Sequence, residues 1–182
     1  MDAIAEPGSA APAASPPNGC LEAREQRVWA LLADVADPEI PVLSIVDLGI
    51  VRHVRHSAGA RLCVGLTPTY SGCPATDRIR GAVREALDGA GYGDVLLEEV
   101  LSPPWSSEWL TAGARRKLAS FGIAPPEKEV ASPRALWRAP SIACPRCGSR
   151  ATECLSEFGS TPCKAHYRCR ACAEPFDYFK CL

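Results

Sequence analysis

Two pairs of cysteines carry the clearest chemistry in this sequence. Cys144-Pro-Arg-Cys147 and Cys169-Arg-Ala-Cys172 are CxxC knuckles separated by 21 residues. The two sulfurs of such a knuckle turn toward one point while backbone amides hydrogen-bond the thiolates. Two knuckles supply four thiolates in a tetrahedron, the donor set of a closed structural zinc site. The separation slightly exceeds the usual span of about 15–20 residues, an excess that a hairpin tolerates. Spacing alone leaves zinc and iron both open, because four-thiolate sites accept either metal.

Cys73 is a different kind of thiol. It stands one residue before Pro74, at the mouth of a predicted helix. The N–H groups and dipole of a helix N-terminus favour an anion there and lower a thiol pKa. Arg78 and Arg80 follow within two turns and add positive field. A loop thiolate of this type can hold a metal or cluster transiently. The alternative is a cap-position cysteine packed under Tyr70.

Cys63, inside a predicted strand, reads as core. His53 and His56 fall on opposite faces of their strand and do not aim jointly at one metal. Cys154, Cys163 and Cys181 exceed the four ligands that a zinc needs. They read either as small buried apolar residues or, with His166, as a further cluster.

The elements that must position these residues follow from periodicity. Residues 21–36 place Leu21, Val28, Leu31, Leu32 and Val35 at helical spacing, and Asp37-Pro38 ends that helix. Alternation late in residues 45–56 marks a strand, and residues 61–67 read as the return strand of a hairpin across the turn at 57–60. Residues 74–90 are a helix with Pro74 at its start, 94–101 a strand, and 109–121 a last helix closed by Gly122. This predicts an α+β fold, a small αββαβα domain with helices packed on a short sheet, followed by an all-β zinc ribbon.

Domain limits follow from composition. Residues 1–19 are Ala/Pro/Ser-rich and bury too little apolar surface to offset chain entropy, so a disordered tail is expected there. The α+β domain is expected over 20–126, a linker over 127–140 and the ribbon over 141–182. A ribbon of about 42 residues has too small a core to fold alone, and structural zinc contributes on the order of 10 kcal/mol to such units.

The chain has 182 residues, 47% of them hydrophobic and 23% charged, with formal net charge -1. Nothing global draws it to nucleic acid or to a membrane, and no apolar run approaches the roughly 18 residues of a membrane span. The N-terminus lacks the basic start and apolar core of a secretory signal, which places the protein in the cytoplasm. Ten cysteines in that compartment point to metal binding or reactive thiols, and seven of them lie between Cys144 and Cys181. The ribbon's six Lys/Arg and four Asp/Glu, with four thiolates and Zn²⁺, sum to about zero, a poor basis for nucleic-acid binding. Of its aromatic residues Phe158, Tyr167, Phe176, Tyr178 and Phe179, most are expected in a ribbon core. The apolar surplus of residues 176–181 suggests docking on a partner.

Asp37–Val51 (DPEIPVLSIVDLGIV) and Leu66–Pro74 (LTPTYSGCP) resemble the small domain of SufT-like iron–sulfur assembly factors. PPWSSEWL, KLASFGIAPP and the ribbon stretch FGSTPCKAHYRCRACAEPFDYFKC resemble the PaaD (PaaJ) subunits of phenylacetyl-CoA epoxidase systems, over residues 21–182. The resemblance implies that Cys73 is the functional thiol, with Asp47, Gly49, Thr67 and Pro74 as its supporting loop. It implies Cys144, Cys147, Cys169 and Cys172 as ribbon ligands and brings Cys163 and Cys181 into the motif as possible extra thiols. In such systems a di-iron subunit is catalytic and a flavin and iron–sulfur reductase feeds it. The PaaD-like subunit is not the catalytic one.

No Ser/His/Asp set, phosphate-cradling glycine loop or Glu/His helix pairs occur in the sequence, so an enzyme is not expected. The favoured reading is an accessory subunit in aerobic phenylacetate breakdown that aids iron or iron–sulfur cluster insertion into the oxygenase or its reductase. Its cofactors would be structural zinc and a transient iron or cluster, and its partners the other epoxidase subunits, with neither nucleic acid nor membrane. The alternatives are a non-catalytic structural subunit of the oxygenase complex and, less favoured, a nucleic-acid-binding regulator.

Overall fold

The apolar stripe beginning at Val28 and Leu32 forms helix α1 (Ala23–Ala33). In the computed structural model of the protein, described over residues 23–56, 61–70, 72–126 and 142–180, it packs with helix α2 (Ala75–Gly89) on a small sheet. The expected tail, the expected linker and Cys181 lie outside the described residues. The sheet comprises β1 (Val51–His56), β2 (Leu62–Leu66) and β3 (Leu96–Glu99), in the order β1-β2-β3. β1 and β2 are antiparallel, as the hairpin reading requires, whereas β2 and β3 are parallel through the α2 crossover. Val54, Leu62, Val64 and Leu66 face the helices and join Val28, Leu32, Ile79, Val83 and Leu87 in one core. Each fully buried aliphatic side chain there contributes about 1.5–3 kcal/mol.

The predicted strand over 45–56 forms only in its second half. Residues 45–49 turn instead, with Gly49 at φ 68, a left-handed conformation that favours glycine. Any side chain at Gly49 would also meet Trp109 Cβ at 3.0 Å. The last predicted helix divides into a 3-10 turn (Ser107–Trp109) and α3 (Ala112–Ser120), because Thr111 Oγ1 accepts the Ala114 N–H at 2.9 Å and starts a fresh helix.

The C-terminal sheet runs β4-β7-β6-β5, from β4 (Ile123–Ala124), β5 (Thr152–Ser156), β6 (Lys164–Cys169) and β7 (Pro175–Phe179). The last three are the antiparallel ribbon strands. β4 immediately follows α3 and pairs in parallel with Asp177 and Tyr178 of β7. The α+β unit thus lends an edge strand to the ribbon sheet. In return, Phe179 and Cys163 of the ribbon sit in the α+β core, with the Phe179 ring 6.0 Å from that of Trp105. Trp105 is fixed in turn by its indole N–H donating to the Leu48 carbonyl at 2.8 Å. Tyr167, Phe176 and Tyr178 fill a small separate ribbon core, as expected, while Phe158 is 68% exposed. The apolar surplus of the last strand is therefore taken up within the chain, by Phe179, and not left for a partner. No described helix is long and apolar enough to cross a membrane.

Candidate metal centre and thiol site

The ribbon knuckles are built by short turns. The Gly148 N–H donates to the Cys144 carbonyl at 2.9 Å, with Gly148 at φ 73 closing the first turn. In the second, the Cys169 N–H donates to the Glu174 carbonyl at 2.8 Å. These turns bring the four sulfurs of Cys144, Cys147, Cys169 and Cys172 within 4.8 Å of one another. Cys144 and Cys172 Sγ are 3.8 Å apart, and Cys147 and Cys169 Sγ 3.6 Å. Zn–S bonds of about 2.3 Å at tetrahedral angles put sulfurs about 3.8 Å apart, so the donor set fits zinc as it stands.

The thiols are electrostatically coupled. Backbone N–H groups, that of Cys172 foremost and then that of Ala171, draw the Cys169 thiol down to about 7. Against the Ser149 N–H, hydrogen bonds with the Cys172, Cys169 and Cys144 sulfurs and desolvation push Cys147 up to about 12. Four thiolates at this distance repel one another, and a divalent cation at their centre cancels half of that charge.

The second site lies where the two sheets meet. Cys73 is held by its N–H donating to the Tyr70 carbonyl at 3.2 Å, while its own carbonyl accepts the Thr76 N–H at 3.1 Å. Pro74, at φ -67, caps α2 immediately after it. The thiol is half-buried and lines two adjoining cavities. One has Asp37, Thr67, Thr76, Arg80 and Glu99 set among apolar side chains on its walls. The other reaches the ribbon, where Glu39, Leu48, Cys163 and Phe179 complete the wall.

The groups around Cys73 are tied together. The Tyr70 hydroxyl is pushed up to about 12, chiefly by desolvation and then by the Cys73 thiol to which it is hydrogen-bonded. Asp37 is buried and its carboxyl is raised by desolvation, against two N–H groups, of Glu39 and Ile40, that donate to its Oδ1 at 2.9 and 2.8 Å. Cys163 is raised by burial, although its Sγ lies 3.0 Å from Thr161 Oγ1 and the buried Lys164 ammonium is close.

The structure thus brings Cys163 to Cys73, an approach for which the sequence holds no local sign. Thr67 lines the same cavity system, whereas Asp47 and Gly49 do not. Asp47 pairs with Lys117 Nζ at 2.6 Å and exchanges loop hydrogen bonds with Ser44, so together with Gly49 it shapes the turn that presents Leu48. Cys154 is exposed near Glu157, and His166 faces Asp177, so these two do not converge with Cys163 on a common metal. Asp37 and Lys164 are site residues that motif reading missed, although the Asp37-Pro38 dipeptide marked a turn, and Tyr70 entered only as the side chain over a capping Cys73.

Residues 129–180 match the PaaD zinc beta ribbon domain, and residues 25–95 match the iron–sulfur cluster assembly protein family. A protein of Escherichia coli K12, provisionally described as one of the subunits of 1,2-phenylacetyl-CoA epoxidase, is 50% identical over 155 residues, covering 85% of this chain and 92% of its own. The chain belongs to the PaaD family. A Porphyromonas gingivalis Fe-S protein maturation auxiliary factor is 32% identical over 95 residues, 52% of this PaaD chain and 90% of its own. The crystal structure of a domain of unknown function, DUF59, from Bacillus anthracis is 30% identical, covers 52% of this chain and 90% of that one, and has a TM-score of 0.47. The kinship in sequence supports an accessory role for the PaaD protein. The ribbon match and the four-cysteine cluster support metal binding.

Proposed function

We propose that this PaaD protein is an accessory factor of a phenylacetyl-CoA epoxidase, acting in iron or iron–sulfur cluster insertion into the oxygenase or its reductase. Cys73 is the working thiol, and Cys144, Cys147, Cys169 and Cys172 hold a structural zinc. The observation that carries this reading is the approach of Cys163 to Cys73. One wall of the thiol cavity belongs to the iron–sulfur assembly unit and the other to the ribbon, so a correctly folded ribbon completes the site. When bound, the zinc supplies folding free energy to the ribbon. The chain's own groups do the rest: Cys73 and Cys163 offer soft donors, the Tyr70 hydroxyl hydrogen-bonds the Cys73 thiol, and Lys164 supplies positive charge beside the sulfurs.

Asp47 and Gly49 act by setting the loop, and Thr67 and Pro74 by framing Cys73. The domain limits expected from composition fit this division of labour, with the ribbon as docking and completing module. Exposed Phe121, Leu155 and Phe158, 56%, 52% and 68% accessible, offer apolar contact to epoxidase subunits.

The test is a strain carrying Cys73→Ala, with oxygenase and reductase activity and their iron content measured in extracts. Loss of holo-client activity with unchanged client polypeptide levels is expected. Full activity in that strain would contradict the proposal and favour a purely structural subunit.

A further inference from the structure

The face of the α+β sheet opposite its helices carries a cluster that takes no part in the thiol site. Register sets two rows of three residues there: Arg55, Cys63 and Leu96, and beside them His53, Gly65 and Glu98. The middle of the second row is a glycine, so the side chains flanking it can meet above the sheet. The His53 ring does lie across Gly65. A Cβ built at that position would come 2.3 Å from His53 Cε1 and 2.7 Å from both ring nitrogens. This approach brings donor atoms of His53, Cys63 and Glu98, one from each strand, within 4.8 Å of one another.

The contacts within the cluster converge on Glu98 and leave the imidazole Nε2 without a well-formed hydrogen bond. His53 Nε2 is buried, and Glu98 Oε1 lies 2.5 Å from it. Arg55 Nη2 holds the same Oε1 at 3.0 Å, and Cys63 hydrogen-bonds the Glu98 carboxylate. Cys63 is 2% exposed, whereas the His53 and Glu98 side chains are 26% and 32% exposed, so the cluster opens to solvent on one side.

The geometry points to a second metal site, in which His53, Cys63 and Glu98 bind one borderline divalent cation of the zinc or cobalt class and leave a fourth position open. An imidazole nitrogen, a thiolate and a carboxylate are the mixed donors that such ions take, while magnesium and calcium demand oxygen alone. Bonds of about 2.0–2.3 Å to one ion hold three donor atoms about 3–4 Å apart, so the cluster needs side-chain adjustment only. Binding displaces the Cys63 thiol proton to solvent. Three protein ligands and an open position also set this centre apart from the four-thiolate ribbon, where no position is left.

This site is independent of the role given to Cys73, and so is its test. Full-length protein carrying one zinc in the ribbon is dialysed against micromolar zinc, and metal per chain is counted. Cobalt(II) added to the same preparation gives thiolate-to-cobalt absorption as a second readout. Wild type and Cys73→Ala are expected to take up a second equivalent. His53→Gln and Cys63→Ala lose it while keeping the ribbon zinc, which reports that they are folded. Gly65→Ala removes no ligand but denies the His53 ring its place, and weakens the second equivalent about tenfold or more. No second equivalent in wild type, its persistence in Cys63→Ala, or its loss only in Cys73→Ala would each overturn the assignment.

Discussion

Asp37 illustrates how single residues set the thiol cavity. Its Oδ1 caps the turn into Ile40, yet its burial raises the carboxyl above the ordinary Asp value. A raised folded-state pKa contributes stability that is present below the unfolded value of about 3.9 and lost as pH rises through the folded value. At neutral pH the ionised carboxylate therefore costs stability. Asp37→Asn keeps an acceptor for both N–H groups and removes that cost. Urea unfolding is expected to show the Asp37→Asn protein more stable than wild type at pH 7, with the gap closing toward pH 4. A gap that widens on acidification would contradict this assignment. At this scale the four-cysteine cluster of the ribbon was legible, because CxxC pairing is a short-range pattern that survives any tertiary arrangement. The meeting of Cys63 with His53 was not, because it depends on Gly65 lying between β1 and β3 in register. Cys163 was suggested only by resemblance, since its neighbour Cys73 is in another unit.

At the scale of elements, β4 and β7 decide whether the two units move together. Phe179 is 1% exposed and sits against Trp105 in the α+β core, one residue beyond the β4–β7 pairing. Burying an aromatic across such a junction contributes enough that Phe→Ala costs about 3–5 kcal/mol. Phe179→Ala is expected to lower the urea midpoint followed by tryptophan fluorescence, because Trp105 and Trp29 report the α+β core. An unchanged midpoint would show the ribbon to be an independent bead. The helices and hairpin were readable from apolar spacing and from Asp37-Pro38. The β4 strand was not, because two residues carry no periodicity, and its pairing strand lies in the ribbon. The strand predicted from Ile45 was shortened because Gly49 takes a left-handed turn that alternation does not reveal.

At the scale of the whole molecule, an iron–sulfur assembly unit and a zinc ribbon share one sheet edge and one cavity wall, and the thiol lies at their seam. The α+β class and the ribbon were legible because each has its own local signature. Their mutual packing was not, since the apolar surplus of β7 reads equally as an external docking face. The most direct test of the account is metal and acid-labile sulfide per chain, on wild type and Cys73→Ala purified without oxygen. The account predicts ribbon zinc in both proteins, with sub-stoichiometric iron and sulfide in wild type that vanish in the variant. Iron and sulfide absent from wild type, or equal in the two proteins, would contradict the claim that Cys73 handles iron or a cluster.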